Sequence, residues 1–598
     1  MRNTHWIQGD NLCESPLFRR SFFLEQLPAR DRIAVCGLGY FHLYANGKRV
    51  DDQEFAPAPT NYTSTLGCDT TYPVWEERAG YRCLYLEYDL LPCLAQGENV
   101  LGFHLGNGWF HQTRRNAEGA FLYGFPKLRY ELALAWPDGK TALIESGPET
   151  LWKPSGILQN NLFYGETQDL ALLQEDWCSP AAPLTGWQPA RPSHAPQTQL
   201  TKQECPPDKV LRTLKPCLLA ETAGRKLYDC GENISGCVPS DCPHRERLGY
   251  TGDGQLTCEA AMLTLDVKGL YEKWYQDILD SQGADTGHIP HTAPFLGGGG
   301  GPGGWGSAVY LLPMAFHRIY GDKSLLEKGY PAMIRWLEYM DSRSEDGIVV
   351  REEEGGWCLG EWSAPGPQED MIPSEFVNTY YYIQGLKACR EAAALLDREA
   401  PAWLEERIRA SEEALLRRYF DPQTGDFCSG RGAANAFARI LHLGDVRTKE
   451  NLIAKYRAAT TLDTGIFGTP ILLEQLFREG EADLAYRLLT SQGPASFARM
   501  KQAGATTLWE AWDGSSSHNH PMFGSVVKLL FTEILGIRQK EGSCGFRDIT
   551  LAPAQIPALQ WAEGQIRTPA GTVHVRWDRT PQGTLAITSR LPPDAKDS

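Results

Sequence analysis

The spacing of apolar residues changes twice along this chain of 598 residues, and the changes divide it into three parts. Over roughly the first 200 residues, the apolar runs are short, rich in aromatic side chains and separated by Gly and Pro, which favours β-strands. One such run ends at Asn46-Gly47, the preferred pair for a two-residue hairpin turn. From about residue 255 to 536 the apolar residues recur with helical spacing, and strand-like runs return from about 543.

These patterns predict a multidomain protein. We expect an N-terminal β-sandwich domain at residues 1–200, a strand-poor linker region at 201–240, an all-α domain at 241–540 and a small C-terminal β-sandwich domain at 541–598. About a dozen helical segments in hairpin pairs suggest an (α/α)6 toroid, in which the loops at one end form a pocket. Tandem helical repeats are the alternative, but the helical segments show no fixed period.

Charge and cysteine content exclude several classes of partner. A formal net charge of −16 argues against nucleic acid and against an anionic membrane, and no stretch reaches the roughly 18 apolar residues of a membrane span. The 16 Cys show no CxxC pair or regular spacing, so we expect no metal, no cofactor and no disulfide framework. Free thiols and an N-terminus without a signal-like apolar run favour the cytoplasm, and a homo-oligomer stays open.

The densest cluster of charge lies at residues 241–253, just before the helical pattern begins at Gln255. This segment holds the carboxylates of Asp241, Glu246 and Asp253 together with the guanidinium groups of Arg245 and Arg247. Charges withdrawn from water must be paired and hydrogen-bonded, and such clusters shift pKa values. The segment therefore indicates an active-site loop, with a purely structural ion-pair loop as the alternative.

A second carboxylate that suits catalysis is Glu510. It stands between Trp509 and Trp512 and is followed by Asp513-Gly514. Hydrolysis of a glycoside needs two carboxyl groups, one to protonate the leaving oxygen and one to activate water or attack. An apolar wall of tryptophans can control the pKa and the orientation of such a group. The alternative is a Glu on the surface of a helix.

The segment Asp-Cys-Pro-x-Arg-Glu-Arg-Leu-Gly-aromatic-Thr-Gly-Asp resembles the general-acid loop of the inverting α-L-rhamnosidases of glycoside hydrolase family 78. The segment around Glu510, with Ser517-His518-Asn519-His520 after it, resembles the general-base segment of that family, and Leu105-Gly106-Asn107-Gly108-Trp109 is similar to its N-terminal β-domain. The resemblance covers nearly the whole chain, which is shorter than many members. It implies an exo-glycosidase that removes terminal α-L-rhamnosyl residues from small glycosides or oligosaccharides.

The resemblance also implies roles for individual residues. Glu246 would protonate the leaving oxygen, and Glu510 would remove a proton from water on the opposite face of the sugar. Asp241, Arg245 and Asp253 would bind sugar hydroxyls and tune Glu246. The other expected substrate-binding residues are Trp305, Glu361, Trp362, Trp512 and His520.

Two positions depart from the family pattern. Ser307 stands where members commonly have Asp after Trp-Gly, and Glu361 stands where they commonly have Asp before Trp. Because a site built to hydrogen-bond a hydroxyl discriminates strongly, these changes leave the terminal sugar open. The alternatives are a related inverting glycosidase that acts on a different terminal sugar, and a non-catalytic sugar-binding protein on the same fold. Phosphorolysis would need an anion site, which the sequence does not show.

Overall fold

The computed structural model describes residues 5–66, 74–114, 121–194, 196, 198–222, 225–229, 241–242, 245–350, 358–593 and 596–597. The chain forms two compact units. The first consists of Met1–Cys230 with Pro294–Gly297, and the second of Gly231–Ala293 with Gly298–Ser598.

The first unit is a sandwich of two mainly antiparallel sheets. In spatial order, one sheet contains Arg191–Pro192, Ile7–Gln8, Lys127–Ala135, Arg30–Leu38, Arg82–Tyr88 and Gln199–Lys202, with Thr141–Glu145 also paired to Lys127–Ala135. The other contains Gln188–Pro189, Leu151–Pro154, Pro16–Leu24, Gly97–Gly106, Tyr40–Ala45 and Lys48–Arg49. Side chains of both sheets share one apolar core, in which Phe103 and Tyr130 stack with ring centroids 4.6 Å apart.

Local sequence accounts for the strands of this sandwich. In Tyr40–Ala45, buried and partly exposed side chains alternate, as expected of a strand with one face on a core. Asn46 and Gly47 both take positive φ values, 51° and 83°. They connect two antiparallel strands, in which Tyr44 pairs with Arg49 and Ala45 pairs with Lys48. The hairpin predicted from Asn-Gly is therefore confirmed.

Several short strands pair outside the two large sheets. Two-stranded pairs are formed by His111–Gln112 with Phe121–Leu122, Gln53–Glu54 with Asp208–Lys209, Ile157–Asn161 with Gly165–Gln168, Cys217–Thr222 with Arg225–Asp229, and Ser344–Glu345 with Ile348–Val349. Short 3₁₀ turns lie at Leu91–Cys93, Leu170–Leu172, Gln368–Asp370 and Cys428–Gly430.

The expectation of a strand-poor linker at residues 201–240 is wrong for its described part. Gln199–Lys202, Asp208–Lys209 and the hairpin of Cys217–Thr222 with Arg225–Asp229 all lie in or at the edge of this range. The hairpin side chains of Cys217–Thr222 are exposed, so these strands lack the apolar alternation by which a strand is recognised. Residues 230–240 lie outside the described residues.

The second unit is helical up to residue 534. Its described helices are α1 (Thr251–Thr264), α2 (Lys268–Ser281), α3 (Ala308–Tyr320), α4 (Ser324–Ser342), α5 (Ser374–Leu395), α6 (Trp403–Tyr419), α7 (Ala434–Ile440), α8 (Val446–Ala458), α9 (Gly468–Arg478), α10 (Ala482–Leu489) and α11 (Phe497–Gln502). A final helical segment is 3₁₀ over Met522–Val526, α over Val527–Leu529 and π over Leu530–Ile534.

Alternate helices of this unit are neighbours in space. Helix α1 packs on α3, α3 on α5, α7 on α9, and α9 on the final helical segment, which returns to α1. Between α5 and α7 the contact runs through Tyr380 and Phe437, whose ring centroids are 4.9 Å apart. The other helices pack on ring members next to them in sequence: α4 on α3 and α5, α6 on α5, α8 on α7, and α10 on α9. This alternation is the one that we expected of an (α/α)6 toroid.

The chain ends in two small sheets that share the core of the helices. One contains Ile537–Gln539, Asp548–Leu551 and Lys596–Asp597, and the other Trp561–Thr568, Gly571–Arg579 and Leu585–Arg590. The buried Trp577 donates its indole N–H to the carbonyl of Ile534 at 2.8 Å. The predicted fold class, with strand-rich ends around a helical centre, is confirmed. None of the helices in the described ranges combines the length and the apolar composition needed to cross a bilayer.

Close backbone packing fixes the N-terminus of α1, which follows the charged segment. A Cβ atom on Gly252 would lie 2.6 Å from the Trp305 ring, and one on Gly254 would lie 2.1 Å from the Trp274 ring. Trp274 in turn donates its indole N–H to the carbonyl of Ala293 at 2.9 Å. The glycines of Thr-Gly-Asp-Gly therefore let two tryptophans press against the helix start and hold Asp253 in place.

Candidate active site

The charged segment folds back on itself through backbone hydrogen bonds. The Asp241 N–H donates to the Leu248 carbonyl at 3.2 Å, and the Leu248 N–H donates to Asp241 Oδ1 at 3.0 Å. Arg247 takes a left-handed φ of 56°, a conformation that non-glycine residues rarely adopt. The turn brings Asp241 and Glu246 side by side. Pro243 and His244 lie outside the described residues.

Asp241, Cys242 and Glu246 form one contact group. The Cys242 thiol lies 3.1 Å from Asp241 Oδ2 and 3.0 Å from Glu246 Oε2. Burial, together with the hydrogen bond and repulsion from Glu246, raises the pKa of Asp241 well above its ordinary value. Burial opposes ionisation of Glu246 as well, but hydrogen bonds from Asp241 and Cys242 and the charge of Arg245 lower its pKa. The shifts of the two adjacent carboxyl groups are therefore opposite: Asp241 favours its protonated form and Glu246 its ionised form.

Glu510 lies in a loop that supplies its own donors. Its Oε2 accepts a hydrogen bond from Ser516 Oγ at 2.6 Å and one from the Ser517 N–H at 3.2 Å. Burial acts in the opposite direction, but these donors and the nearby charge of His520 lower the pKa of Glu510. Glu510 is therefore a carboxylate at neutral pH. Asp513, by contrast, is exposed, and its carboxylate is engaged by Ser515.

Arg245 connects the two carboxyl groups. Its Nη2 lies 3.3 Å from Glu246 Oε2 and 3.4 Å from Glu510 Oε2, and its side chain is 41% exposed. Burial opposes the charge of this guanidinium, but the charges of Glu246, Cys242 and Glu510 raise its pKa. The two loops therefore place Glu246 and Glu510 against one partly exposed cation.

Asp253 and His520 form a second link between the same loops. Asp253 lies in the first turn of α1, and its Oδ1 is 3.1 Å from Nδ1 of His520, with both side chains buried. Burial raises the pKa of Asp253 well above its ordinary value, and the charges of Glu246 and Glu510 contribute to the shift. The structure thus brings together Asp241, Arg245, Glu246, Asp253, Glu510 and His520.

The three predicted tryptophans are not equivalent. Trp305 is 4% exposed and packs on Gly252, His291 and Phe467, so it supports the site from within the core. Trp512 is also buried, donates its indole N–H to the Thr464 carbonyl at 2.8 Å and packs on Phe523. Trp362, at 40% exposure, is the one of the three whose ring is open to a ligand. Direct contact of Trp305 and Trp512 with a sugar stays a prediction.

Both positions that depart from the family pattern are engaged with backbone. Glu361 is buried, and its two carboxylate oxygens accept from the Gly468 N–H at the start of α9, at 2.8 and 3.0 Å. Ser307 precedes α3, is buried, and donates its Oγ hydrogen to the Gly303 carbonyl at 3.0 Å. Each side chain therefore makes a hydrogen bond to a backbone group within the protein.

No role was predicted from the sequence for two residues of the site: the Cys242 thiol touches both carboxyl groups, and Ser516 donates to Glu510. Ser517, in the segment that resembles the family, also donates to Glu510, and the buried His291 packs beside Trp305. Burial lowers the pKa of His291 to about 3, so its ring is neutral. The adjacency of Cys242 to Asp241 and the Ser515-Ser516-Ser517 run next to Glu510 were the available signals.

One group of side chains has the composition of a metal site. Potential ligand atoms of Asp241, Cys242 and Glu246 lie within 4.8 Å of one another. Burial, with the negative charges of the two carboxyl groups, raises the pKa of Cys242 well above its usual range, so the sulfur is a thiol and not a thiolate. In this structure the three groups bind each other through hydrogen bonds.

Two carboxyl groups on separate loops, Glu246 and Glu510, both in contact with Arg245, are the equipment that hydrolysis of a glycoside requires. Three family models match the chain. They are the bacterial alpha-L-rhamnosidase 6 hairpin glycosidase domain over residues 230–534, the alpha-L-rhamnosidase N-terminal domain over 26–212 and the bacterial alpha-L-rhamnosidase C-terminal domain over 536–597. The chain belongs to the bacterial α-L-rhamnosidase family and is a glycoside hydrolase.

Individual relatives are distant in sequence. An α-L-rhamnosidase of Formosa agariphila is 23% identical, with 98% of this chain and 76% of the relative covered. An α-L-rhamnosidase of an Alteromonas species is 29% identical over 58% of this chain, which spans 40% of that relative.

Solved structures show the same fold. The α-L-rhamnosidase of Streptomyces avermitilis, complexed with L-rhamnose, superposes with a TM-score of 0.87 at 22% identity and covers 98% of this chain and 67% of its own. The enzyme from Dictyoglumus thermophilum gives a TM-score of 0.88 at 22% identity, covering 100% of this chain and 81% of its own.

The environment of Glu361 predicts a pH-dependent stability. Burial raises its pKa from 4.5 to about 8, against the opposing effect of the Gly468 N–H. The folded state thus holds this proton more tightly than the unfolded state. The stability gained from it is complete below the unfolded pKa and is lost as the pH rises toward 8. One such proton changes the free energy of unfolding by at most about 1.4 kcal/mol per pH unit.

Glu361→Gln keeps an acceptor for the Gly468 N–H and has no charge at any pH. We expect denaturant titrations from pH 5 to 8 to show a smaller decline of stability in this variant than in the parent protein. The exposed Glu406 on α6 provides a matched Glu→Gln control. An unchanged slope in Glu361→Gln would show that this carboxyl group does not titrate in the folded state.

Proposed function

We propose that the protein is an inverting exo-glycosidase that removes terminal α-L-rhamnosyl residues, with Glu246 as general acid and Glu510 as general base. The observation that carries the proposal is the difference between the two carboxyl groups that face Arg245. Glu246 lies beside Asp241, whose pKa is raised well above its ordinary value by burial and by Glu246, whereas Glu510 is held by donors from Ser516 and Ser517. The pKa of both glutamates is lowered, so the acid role of Glu246 depends on the proton held next to it on Asp241.

Glu246 suits the acid role because its proton supply is buried with it. The proton of the Asp241–Glu246 pair would pass from Glu246 to the glycosidic oxygen as the bond to the sugar breaks. The carboxylate that remains on Glu246 is stabilised by Arg245 at 3.3 Å and by the Cys242 thiol at 3.0 Å. Because these two groups stabilise the carboxylate form of Glu246, they make Glu246 a stronger acid.

Glu510 suits the base role because it is already charged and is fixed in orientation. Two donors hold Oε2, which orients the carboxylate toward the cation that it shares with Glu246. A water molecule between Glu510 and the anomeric carbon would lose its proton to this carboxylate as it attacks. Asp513 is the other acidic candidate of this loop, but its exposed carboxylate is engaged by Ser515.

Arg245 limits the distance between the two groups. Since its Nη2 contacts both, Glu246 Oε2 and Glu510 Oε2 lie at most about 6.7 Å apart, where inverting pairs span about 6.5–9.5 Å and retaining pairs about 5 Å. Separations typical of an inverting pair and of a retaining pair are both possible below 6.7 Å. The proposed inversion therefore depends on the family resemblance and is decided by the configuration of the product.

The choice of rhamnose is supported by the names of the relatives and by the Streptomyces enzyme's complex with L-rhamnose. The second candidate is a glycosidase for a different terminal sugar, suggested by Ser307 and Glu361. Support for it is weaker because both side chains form hydrogen bonds with backbone groups of the protein. Small glycosides in the cytoplasm remain the proposed setting, and the cysteines of the described part of the chain are free thiols.

The experiment that tests the function is hydrolysis of a panel of p-nitrophenyl glycosides, followed by proton NMR of the released sugar during the first turnovers. Release of L-rhamnose from the α-L-rhamnoside as the β-anomer would support the proposal. Release of the α-anomer would show retention. Hydrolysis confined to another sugar would favour the second candidate, and binding of the sugar without turnover would indicate a sugar-binding protein.

Glu246→Gln should remove the proton donor and keep the shape of the loop. We expect kcat/KM for alkyl or natural glycosides to fall by about 10² to 10⁴-fold, because a poor leaving group needs protonation. The loss should be much smaller for p-nitrophenyl glycosides, whose leaving group needs little. Equal losses for both substrates would contradict the acid role.

Glu510→Ala should affect all substrates alike, because every leaving group requires activated water. We expect a loss of about 10² to 10⁴-fold that is independent of the leaving group. Added azide should restore part of the turnover, since a small anion can attack without a base. Asp513→Asn is the matched control on the same loop and should keep activity. If Glu510→Ala stays active and Asp513→Asn is inactive, the base is Asp513.

A further inference from the structure

The contact group at the acid loop contains a residue that the proposed reaction does not use. Cys242 is fully buried, and its sulfur is within 3.1 Å of Asp241 Oδ2 and 3.0 Å of Glu246 Oε2. A thiol has one hydrogen, which can be donated to either of these two carboxyl oxygens. Burial in an apolar core would have left a cysteine without such partners.

We propose that Cys242 is a positioning residue for the general acid: its S–H group lies between Asp241 and Glu246, holds Glu246 in place, and shields the two carboxyl groups from each other when both are ionised. This inference rests on the acid role proposed for Glu246. It adds a function for a side chain that would otherwise be only a small apolar filler.

The argument begins with the state that follows proton donation. Once the pair has given its proton to the leaving oxygen, two adjacent buried carboxylates carry a charge each. Repulsion between them would raise the free energy of that state. The backbone N–H of Leu248 donates to Asp241, and Arg245 contacts Glu246, but neither lies against both groups. Cys242 is the described side chain whose hydrogen can interact with both.

The thiol remains a donor over the working range of pH. Burial and the charges of Asp241 and Glu246 raise the pKa of Cys242 well above its usual range. Its hydrogen bonds lower the pKa of each carboxyl group. The other charged groups that act on the pair are Arg245 and Asp253; Glu510 contacts Arg245, and His520 lies beside Asp253. A Cys242 variant leaves all of them in place.

The sign of the effect follows from these contacts. Because the S–H group stabilises the ionised carboxyl groups, its removal should raise the pKa of the pair and make the acid weaker. The basic limb of the pH profile of kcat/KM, which reports the loss of the acid's proton, should move to higher pH. The acidic limb, which reports Glu510, should stay in place.

Cys242→Ala removes the donor, and Cys242→Ser retains one on a shorter bond. For glycosides with a poor leaving group we expect kcat/KM of Cys242→Ala to fall about tenfold, a loss typical of one hydrogen bond to a charged group. The loss of kcat/KM should be smaller for p-nitrophenyl glycosides. The basic limb of the pH profile should move to higher pH in Cys242→Ala and return toward the parent position in Cys242→Ser. Cys389→Ala removes another fully buried thiol, in the core around α5, and should leave both limbs unchanged.

A measurement without substrate separates this inference from the proposed function. Infrared spectroscopy of the substrate-free protein reports the titration of the carboxyl pair and the S–H stretching band of Cys242, which is the band that disappears in Cys242→Ser. We expect that band at the low frequency of a strongly hydrogen-bonded thiol in the parent protein, and at a higher frequency in Asp241→Asn with Glu246→Gln. These spectra need only a folded parent protein and folded carboxyl variants, so an unstable Cys242→Ala does not prevent the test.

Two results would overturn the inference. One is an S–H band that does not respond to the carboxyl variants, and the other is a Cys242→Ala enzyme whose basic limb is unchanged and whose activity falls equally for all leaving groups. If the parent enzyme cleaves a different sugar, the same comparisons are made with that glycoside. Failure of rhamnoside hydrolysis would thus count against the proposed substrate and not against the role of Cys242.

Discussion

The site depends on the withdrawal of several carboxyl groups from water within a small volume. Asp241, Asp253 and Glu510 are each buried, and Glu246 is mostly so. Isolated buried carboxylates are costly, and the structure offsets the cost in two ways. Asp241 and Asp253 keep their protons, because burial raises their pKa values. Glu246 and Glu510 keep their charges, because Arg245, Cys242 and the serines of the 510 loop supply donors.

The roles proposed for Glu246 and Glu510 follow this division. Glu246 has Asp241, a group with a raised pKa, as its neighbour, whereas the Oε2 atom of Glu510 accepts from Ser516 and Ser517. The same contacts explain the shape of the loops. The left-handed Arg247 places Glu246 against Asp241, and the 3.1 Å contact between Asp253 and His520 joins α1 to the 510 loop. The positions of Glu246 and Glu510 are thus fixed by interactions between the members of one cluster.

Local pattern was sufficient to predict much of this. The strand and helix periodicities predicted the strand-rich ends and the helical centre, and the unusual charge density of residues 241–253 pointed to the segment that contacts Glu510. The features that could not be predicted depend on contacts between residues that are distant in the sequence. A tryptophan looks the same in sequence whether it lines a pocket, as the exposed Trp362 can, or packs against a helix start, as Trp305 does. The exposed hairpin at Cys217–Thr222 lacked the alternation by which strands are recognised.

Glu361 shows why a departure from a family pattern is ambiguous until contacts are known. In sequence it suggested a changed sugar site, because Glu replaces the customary Asp beside Trp362. In the structure the longer side chain places both oxygens at 2.8 and 3.0 Å from the first N–H of α9, where the helix carries partial positive charge. The side chain of Glu361 is therefore engaged with the start of α9, and of the two neighbouring residues it is Trp362, at 40% exposure against 6% for Glu361, that is open to solvent.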